Sequence, residues 1–140
     1  MKILHELPSC GEYGELRAQA GWGTISAAAA ECTLAATQHC VCARDGTALV
    51  GVVRILGDGC LFLFISELIV APSHAGAGLG SALMEKAMQH VRACATENCT
   101  VVLVPISGKE SFYERFGFRR TPHGPFGHGM AYVPHNASTD

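Results

Sequence analysis

The sequence predicts an α/β fold in which helices flank a central sheet, and three features of the chain carry that prediction. Residues 39–44 and 47–56 alternate between apolar and polar positions on either side of Asp45-Gly46, a strong short-range signal of a β-hairpin. Residues 60–71 form a nearly continuous apolar run, which is typical of a central strand covered on both faces. After a glycine-rich loop, residues 80–94 carry apolar side chains at helical spacing. The chain therefore alternates between strands and helices.

The first forty residues predict one strand and two helices. Residues 2–7 form a short predicted strand, and Pro8-Ser9 opens a helix that Gly21 ends. The second helix covers residues 24–37 and is rich in alanine, as expected for a helix packed closely on a sheet. Its predicted packing face consists of Ile25, Ala28, Cys32 and residues 34–36.

The rest of the chain predicts the remaining elements in order. Gly57-Asp58-Gly59 makes a turn before the apolar strand, and Pro72 ends that strand. The apolar face of the helix at 80–94 comprises Leu79, Leu83, Met84, Ala87, Met88 and Val91. Further elements are predicted as a strand at 100–104, a short helix at 109–116, and closing strands at 118–119 and 130–133. We expect one domain over residues 1–134 and a flexible tail at 135–140.

Composition excludes several classes of function. A chain of 140 residues with a net charge of −2 has no basic patch for nucleic acid, because its ten basic residues are scattered. The N-terminus becomes charged too early for a signal peptide, and no apolar run is long enough to cross a membrane. Seven cysteines without a CxxC pair are expected to be mainly buried and reduced, with Cys10, Cys94 and Cys99 more exposed. We therefore expect a cytoplasmic protein.

The glycine loop has the features of an anion-binding site. Gly76, Gly78 and Gly80 follow the apolar strand and open directly into the predicted helix. Glycines let a ligand approach the backbone closely, and the first turn of a helix has free N–H groups at the positive end of its dipole. An ordinary tight turn is the alternative. The preferred ligand is a phosphate group.

A second signature, Phe112-Tyr-Glu-Arg-Phe-Gly-Phe118, lies about thirty residues further on. With both segments in place, the chain resembles the GNAT (GCN5-related) N-acetyltransferases over about residues 48–133. Gly21-Trp22 and the 57–59 turn, with the segment from Arg119 to Met130, are similar to small bacterial-type members. The resemblance implies a mixed, mostly antiparallel sheet flanked by helices, which splays where the fourth and fifth strands diverge to admit acetyl-CoA.

The resemblance also implies where the cofactor binds. Strand backbone at Leu68, Ile69 and Val70 would pair with the pantetheine arm, like an added strand. The pyrophosphate would bind the loop backbone, and the residues implied are Ala75, Gly76, Ala77, Gly78, Leu79, Gly80 and Ser81. The family usually has Arg or Gln where this chain has Ala75, and often Lys in place of Ala77. Loss of a charge-assisted contact would weaken binding by on the order of 1 to 2 kcal/mol.

Two residues are the candidates for catalysis. Tyr113 matches the family's general acid, which faces the acetyl thioester and protonates the leaving thiolate; the alternative is a half-buried tyrosine with a structural hydrogen bond. Glu67 is the one ionisable residue in the apolar strand, and burial would raise its pKa towards that of a general base. The alternative is that Glu67 pairs with Arg54 on the neighbouring strand.

Three residues are candidates for binding the acceptor. Trp22 follows a helix-ending glycine and is either a pocket wall or a cap on the core. His123 and His128 lie in a loop rich in glycine and proline, as acceptor ligands or as solvated surface residues. No acidic or cysteine residues accompany them at ligand spacing, so a metal site is not expected.

The predicted reaction is direct transfer of acetyl from acetyl-CoA to a primary amine, with no covalent intermediate on the enzyme. The expected acceptor, and the expected partner, is a small polar amine. We expect no binding to nucleic acid or to a membrane, and a homodimer is possible. A regulatory module that binds acetyl-CoA without turnover is the alternative, because of Ala75. A thiol enzyme that uses one reactive cysteine is a further alternative.

Overall fold

The structure, a computed structural model, describes residues 1–134 and divides the chain into two compact units, Met1–Leu103 and Val104–Asp140. The first unit contains β1 (Lys2–His5), α1 (Cys10–Gln19), α2 (Ala27–Ala35), β2 (His39–Asp45), β3 (Ala48–Gly57), β4 (Phe62–Val70), a 3₁₀ turn (Pro72–His74), α3 (Leu79–Cys94) and β5 (Thr100–Leu103). Its five strands follow one another across a single sheet, antiparallel except for the parallel pair of β4 and β5. The prediction of a mixed, mostly antiparallel sheet with flanking helices is confirmed.

Helix α3 packs against β2, β3 and β4 and supplies much of the core. All six residues of its predicted apolar face are buried, including both methionines: Leu79, Leu83, Met84, Ala87, Met88 and Val91. The sheet comes close to this helix at Gly51, where an added Cβ would lie 2.8 Å from Leu83 Cδ1. The spacing of apolar residues was sufficient to predict this helix because a wide apolar stripe must face the core.

Helices α1 and α2 lie on the other face of the sheet. Helix α1 begins with a capping box, in which Ser9 Oγ accepts from the Glu12 backbone and the Glu12 carboxylate accepts from the Ser9 backbone. Helix α2 buries only Ala30 and Leu34, whereas Ala28 and Cys32 are exposed. The predicted face of α2 was therefore confirmed at Leu34 and wrong at Ala28 and Cys32, because a run of alanines has no large side chains to define one face.

Strand β4 is less completely covered than expected. Its burial alternates, with Leu63, Ile65 and Ile69 buried and the intervening residues partly exposed. The ladder with β5 runs from Phe62 to Ile65, so the second half of β4 extends beyond β5. This local end of pairing is the place where the resemblance implied a splay.

The second unit contains one short helix, α4 (Glu110–Glu114). The predicted closing strands were wrong: residues 118–119 and 130–133 are irregular, and the described β structure there is a bridge between His123 and Phe126. Several prolines and glycines interrupt this segment, and Met130 and Tyr132 are more than nine-tenths exposed. Proline removes a ladder donor, and exposed side chains contribute no packing to a strand. The predicted tail at 135–140 lies outside the described residues.

The cysteines follow the expectation only in part. Cys40 and Cys42 are buried, but Cys32 and Cys60 are exposed, contrary to the prediction, and all seven are free thiols. In the described part of the chain, no helix combines the length and hydropathy that crossing a bilayer requires.

Candidate active site

The glycine loop has the conformation of a backbone anion site. Gly76 and Gly78 have φ of +80° and +82°, a region that L side chains rarely adopt, and a Cβ at either would meet nothing within 4 Å. Gly78 caps α3 in the left-handed conformation, and the Gly78 carbonyl accepts from Ala82 at 3.1 Å in the first turn. The amides at the start of the helix therefore have no acceptor within it. The loop fits the pyrophosphate group that the resemblance implies.

Side chains add little positive charge to this loop. Ala75 and Ala77 are both exposed. The neighbouring His74 is held by Asp45, with Nε2 3.0 Å from Oδ2, and by Ser73 at 2.8 Å from Nδ1. The contact with His74 lowers the pKa of Asp45 below its usual value. An anion at this loop would therefore be bound mainly by backbone donors.

The strand that precedes the loop offers backbone groups on one side. Leu68, Ile69 and Val70 pair with β3 through Val53, Val52 and Gly51, respectively. On the other side, the described pairing with β5 has already ended at Ile65. Polar groups of this backbone edge can pair with an extended ligand, as the sequence predicted for pantetheine.

Glu67 lies at the centre of a buried polar cluster formed by Tyr13, Arg17, Arg54 and Glu67. The Tyr13 hydroxyl donates to both carboxylate oxygens, at 2.7 and 2.8 Å. Arg17 Nη1 donates to Oε2 at 2.9 Å, and Arg54 donates to Oε1 from Nε at 3.0 Å and from Nη2. A bulge places one extra β4 residue between the pairs Arg54–Glu67 and Ile55–Ile65. The alternative that Glu67 pairs with Arg54 is confirmed.

The environment of Glu67 reverses the expected direction of its pKa. Burial acts to raise the pKa, but hydrogen bonds from Arg54 and Tyr13 and the charges of Arg54 and Arg17 together lower it below the usual value. Burial and the bond to Glu67 raise the pKa of Tyr13, so its hydroxyl keeps its proton. The predicted raised pKa of Glu67 was therefore wrong, because the strand pattern did not reveal how many donors surround the carboxylate.

Trp22 contacts this cluster through Arg17. Its backbone N–H donates to the Arg17 carbonyl at 2.8 Å, and the Arg17 guanidinium carbon lies 5.5 Å from the Trp22 ring centroid. Gly21 and Gly23 flank Trp22 with φ of +83° each. The tryptophan is partly exposed, so it covers the edge of the cluster and also reaches the surface.

The sequence did not single out Tyr13 and Arg17 as site residues. They stand four apart on α1 and therefore share one face of the helix. That spacing is a signal in the sequence, but their common partner Glu67 lies fifty residues or more along the chain. Only the folded chain identifies these two residues as members of the cluster.

The other candidate residues lie in the second unit. Tyr113 is half-buried on α4, in a T-shaped contact with Phe112 whose ring centroids are 5.0 Å apart. Burial raises the pKa of Tyr113, which keeps the hydroxyl protonated at neutral pH. His123 and His128 are exposed in the predicted loop. Among residues 1–134, no three histidine, cysteine or acidic side chains are placed to hold a metal ion.

Comparisons with a protein-family model and with solved structures agree on one family. The acetyltransferase (GNAT) domain family matches residues 12–138. A structure from meticillin-resistant Staphylococcus aureus is 30% identical with a TM-score of 0.82, and the match covers 94% of this chain and 98% of that one. A GNAT-family acetyltransferase from Streptococcus pneumoniae is 26% identical with a TM-score of 0.76, covering 96% and 98%.

A more distant structure shares the fold. The ribosomal-protein-alanine N-acetyltransferase of Brucella melitensis is 19% identical with a TM-score of 0.67, covering 96% of this chain and 99% of that one. The family match spans most of the chain and includes the glycine loop and the Tyr113 segment. The chain therefore belongs to the GNAT family of acetyltransferases and is an acetyltransferase enzyme.

Proposed function

We propose that this protein is an acetyl-CoA-dependent N-acetyltransferase that transfers acetyl directly to a primary amine of a small acceptor. The observation that carries the proposal is the loop before α3, where Gly76 and Gly78 have positive φ and the backbone N–H groups of the first helical turn have no acceptor within the helix. A pyrophosphate bound there would accept from backbone N–H groups between Ala75 and Ser81. The pantetheine arm would pair with the free edge of β4 at residues 68–70.

The chemistry requires an uncharged amine and a protonated leaving group. The amine nitrogen attacks the thioester carbonyl, the carbon–sulfur bond breaks, and the amine loses its extra proton to solvent or a base. Tyr113 is the proposed acid that donates a proton to the departing sulfur, because its raised pKa keeps the phenol protonated. The glycine loop contains no cysteine that could carry the acyl group, which favours direct transfer.

Glu67 enters the proposal as the anion that holds Tyr13, Arg17 and Arg54 next to the β4 edge. Its lowered pKa makes it a weaker base than a carboxylate in an apolar site. The alternative role for Glu67 is to remove the proton from the amine. The pH dependence of kcat/KM in Glu67→Gln distinguishes the two roles.

The proposed acceptor is a small molecule bound near Trp22. His123 and His128, in the second unit, are kept as candidate acceptor ligands from the sequence. The partly exposed indole of Trp22 offers an apolar wall beside the charged guanidinium of Arg17. The proposal includes no metal, nucleic acid or membrane. The proposed compartment is the cytoplasm, where seven free thiols would stay reduced.

A regulatory module that binds acetyl-CoA without turnover is the second candidate. It is favoured by Ala75 and Ala77, which leave the loop without the cationic side chains usual in the family, and by the pairing of His74 with Asp45. Weak phosphate binding would suit a sensor of acetyl-CoA concentration.

One pair of measurements tests both functions. Calorimetry measures acetyl-CoA binding to the purified protein, and a thiol reagent measures CoA release with a panel of primary amines. We expect binding together with amine-dependent thiol release and acetylated product by mass spectrometry. Binding with no release above the rate without amine would favour the module, and absence of binding would contradict both.

A further inference from the structure

The polar cluster around Glu67 has more positive than negative charge. Arg17 and Arg54 are both paired with Glu67, and in the part of the chain that the structure describes neither has another carboxylate within 4 Å. Tyr13 is neutral because its pKa is raised by burial and by Glu67. Two guanidinium groups therefore share one carboxylate, which leaves one positive charge without a protein partner.

The excess charge is accessible only at Arg17. The Arg54 and Glu67 side chains are 4% and 8% exposed, whereas the Arg17 side chain is 19% exposed. Each Arg54 nitrogen already donates a hydrogen bond: Nε and Nη2 donate to Glu67, and Nη1 donates to the Thr33 carbonyl at 3.1 Å and to Thr37 Oγ1 at 2.9 Å. Arg17 is consequently the member of the cluster that a solute can contact.

Arg17 also has unused donor capacity. Its Nη1 donates to Glu67, and the contact of Nη2 found among residues 1–134 is a long one, 3.5 Å to the Trp22 carbonyl. Its Nε is buried and has no hydrogen-bond partner in the part of the chain that the structure describes. A buried donor without an acceptor costs free energy, and a guanidinium edge is the group that binds a planar carboxylate through two parallel hydrogen bonds.

We propose that Arg17 binds a carboxylate of the acceptor, so that the substrates are amines of the amino-acid class. The inference rests on the proposed N-acetyltransferase function and narrows its acceptor. Glu67 connects Arg17 to the part of β4 that is proposed to hold the thioester, because Leu68 is the next residue. A carboxylate bound at Arg17 would neutralise the excess charge and hold the nearby amine for attack. The Trp22 ring would cover the apolar part of the same molecule.

The test compares matched acceptors. Each of the twenty amino acids is assayed beside its primary amide and, where one exists, the amine that lacks the carboxyl group, with thiol release as the measurement. We expect at least one amino acid to be acetylated with a kcat/KM about 10-fold to 100-fold above that of its amide, the range for a charge-assisted hydrogen bond. The preference should lie mainly in KM, because the carboxylate does not react.

Variants of Arg17 distinguish binding of the acceptor carboxylate from a purely structural role in the polar cluster. Arg17→Gln should reduce the ratio of acid to amide kcat/KM towards one, and Arg17→Lys should give an intermediate ratio because it keeps the charge and loses the planar fork. Arg92→Gln is the matched control, since Arg92 is 57% exposed on α3 and pairs with Glu85. It should leave the ratio unchanged. Circular dichroism confirms that each variant is folded, and Arg17→Lys retains a test if Arg17→Gln does not fold.

The outcomes distinguish this inference from the function on which it rests. Equal losses for acids and amides in both Arg17 variants would make Arg17 a structural partner of Glu67 and overturn the inference. Acetylation of amides and simple amines without preference for acids in the native protein would overturn it while the N-acetyltransferase function stands. Absence of acetylation with every acceptor would overturn both.

Discussion

Among single residues, Tyr113 is the candidate whose catalytic role can be tested by removing one hydroxyl group. Tyr113→Phe keeps the ring and its contact with Phe112 but removes the hydroxyl. We expect kcat to fall by roughly 10² to 10⁴ while acetyl-CoA affinity in calorimetry stays nearly unchanged. Tyr132→Phe, at a tyrosine that is 91% exposed, serves as the control and should retain native turnover. Near-native kcat in Tyr113→Phe would leave the hydroxyl with a structural role.

Substitution of Glu67 tests whether a carboxylate that already accepts several hydrogen bonds acts as a general base. Because its pKa is below the usual value, Glu67 is ionised across the neutral range, and the acidic limb of kcat/KM should belong to the acceptor amine. Glu67→Gln should therefore lower activity at every pH without moving that limb. It should also reduce the free energy of unfolding by on the order of 3 kcal/mol, since two arginines lose their carboxylate.

The control for this prediction is Glu85→Gln, which changes a glutamate that is 57% exposed. It should alter neither the pH profile of kcat/KM nor the thermal midpoint appreciably. If Glu67→Gln abolished the acidic limb and activity recovered at high pH, Glu67 would be the general base.

At the scale of an element, the loop before α3 is best tested through Ala77. Gly78 is a poor choice, because at φ +82° any side chain would strain the backbone as well as disturb the ligand. Ala77 is exposed between two positive-φ glycines. Ala77→Glu should weaken acetyl-CoA binding in calorimetry by about tenfold or more through repulsion of the phosphates, whereas the neutral Ala77→Gln should have a smaller effect. Equal affinities in the two variants would remove the loop from the phosphate site.

Strands β1 and β2 and helix α3 are joined by a cluster of three histidines: His5 of β1, His39 of β2 and His90 of α3. His5 Nδ1 lies 2.8 Å from His39 Nε2, and the His39 and His90 rings stack with centroids 3.6 Å apart. His90 also contacts Gln38 Oε1 at 3.0 Å and Cys94 Sγ at 3.7 Å. Burial, followed by the proximity of His90 and His5, lowers the pKa of His39 from 6.5 to about 4. Burial likewise lowers the pKa of His90, so the contacts favour uncharged rings at His39 and His90.

At the scale of the whole molecule, this cluster makes stability depend on pH. Between pH 6.5 and about 4 the unfolded chain binds a proton at His39 that the folded chain does not, so the free energy of unfolding should decrease as the pH falls through that window. Glu12 adds a lower window: the hydrogen bond from Arg44 is the largest cause that lowers its pKa from 4.5 to about 2, and its contribution is lost across that range.

Thermal midpoints measured from pH 8 to pH 3 check this prediction. His39→Gln should flatten the dependence between pH 6.5 and 4, whatever its effect on stability at neutral pH, and leave the lower window in place. His128→Gln, at an exposed histidine, should keep the native profile. A native slope in His39→Gln would assign the upper window to other groups.

Features that depend on neighbouring residues could be predicted from the amino-acid sequence. The hairpin at Asp45-Gly46 and the six buried positions of α3 are each encoded within one short segment, and the structure confirms both. Gly76 and Gly78 of the glycine loop have positive φ, a conformation that glycine adopts readily. The two motifs that carry the family resemblance are also local. A short segment specifies a turn or an apolar stripe because backbone conformation and burial on one face depend mainly on residues one to four apart.

Features that join residues far apart in the chain could not be predicted in this way. Glu67 acquired a lowered pKa from Tyr13, Arg17 and Arg54, which lie on two other elements, and no pattern in β4 announced them. The buried face of α2 was decided by its neighbours in the fold, since alanine-rich segments have no preferred face of their own. The physical reason is the same in both cases: desolvation and charge depend on which groups are close in space, and that is settled only when the elements pack together.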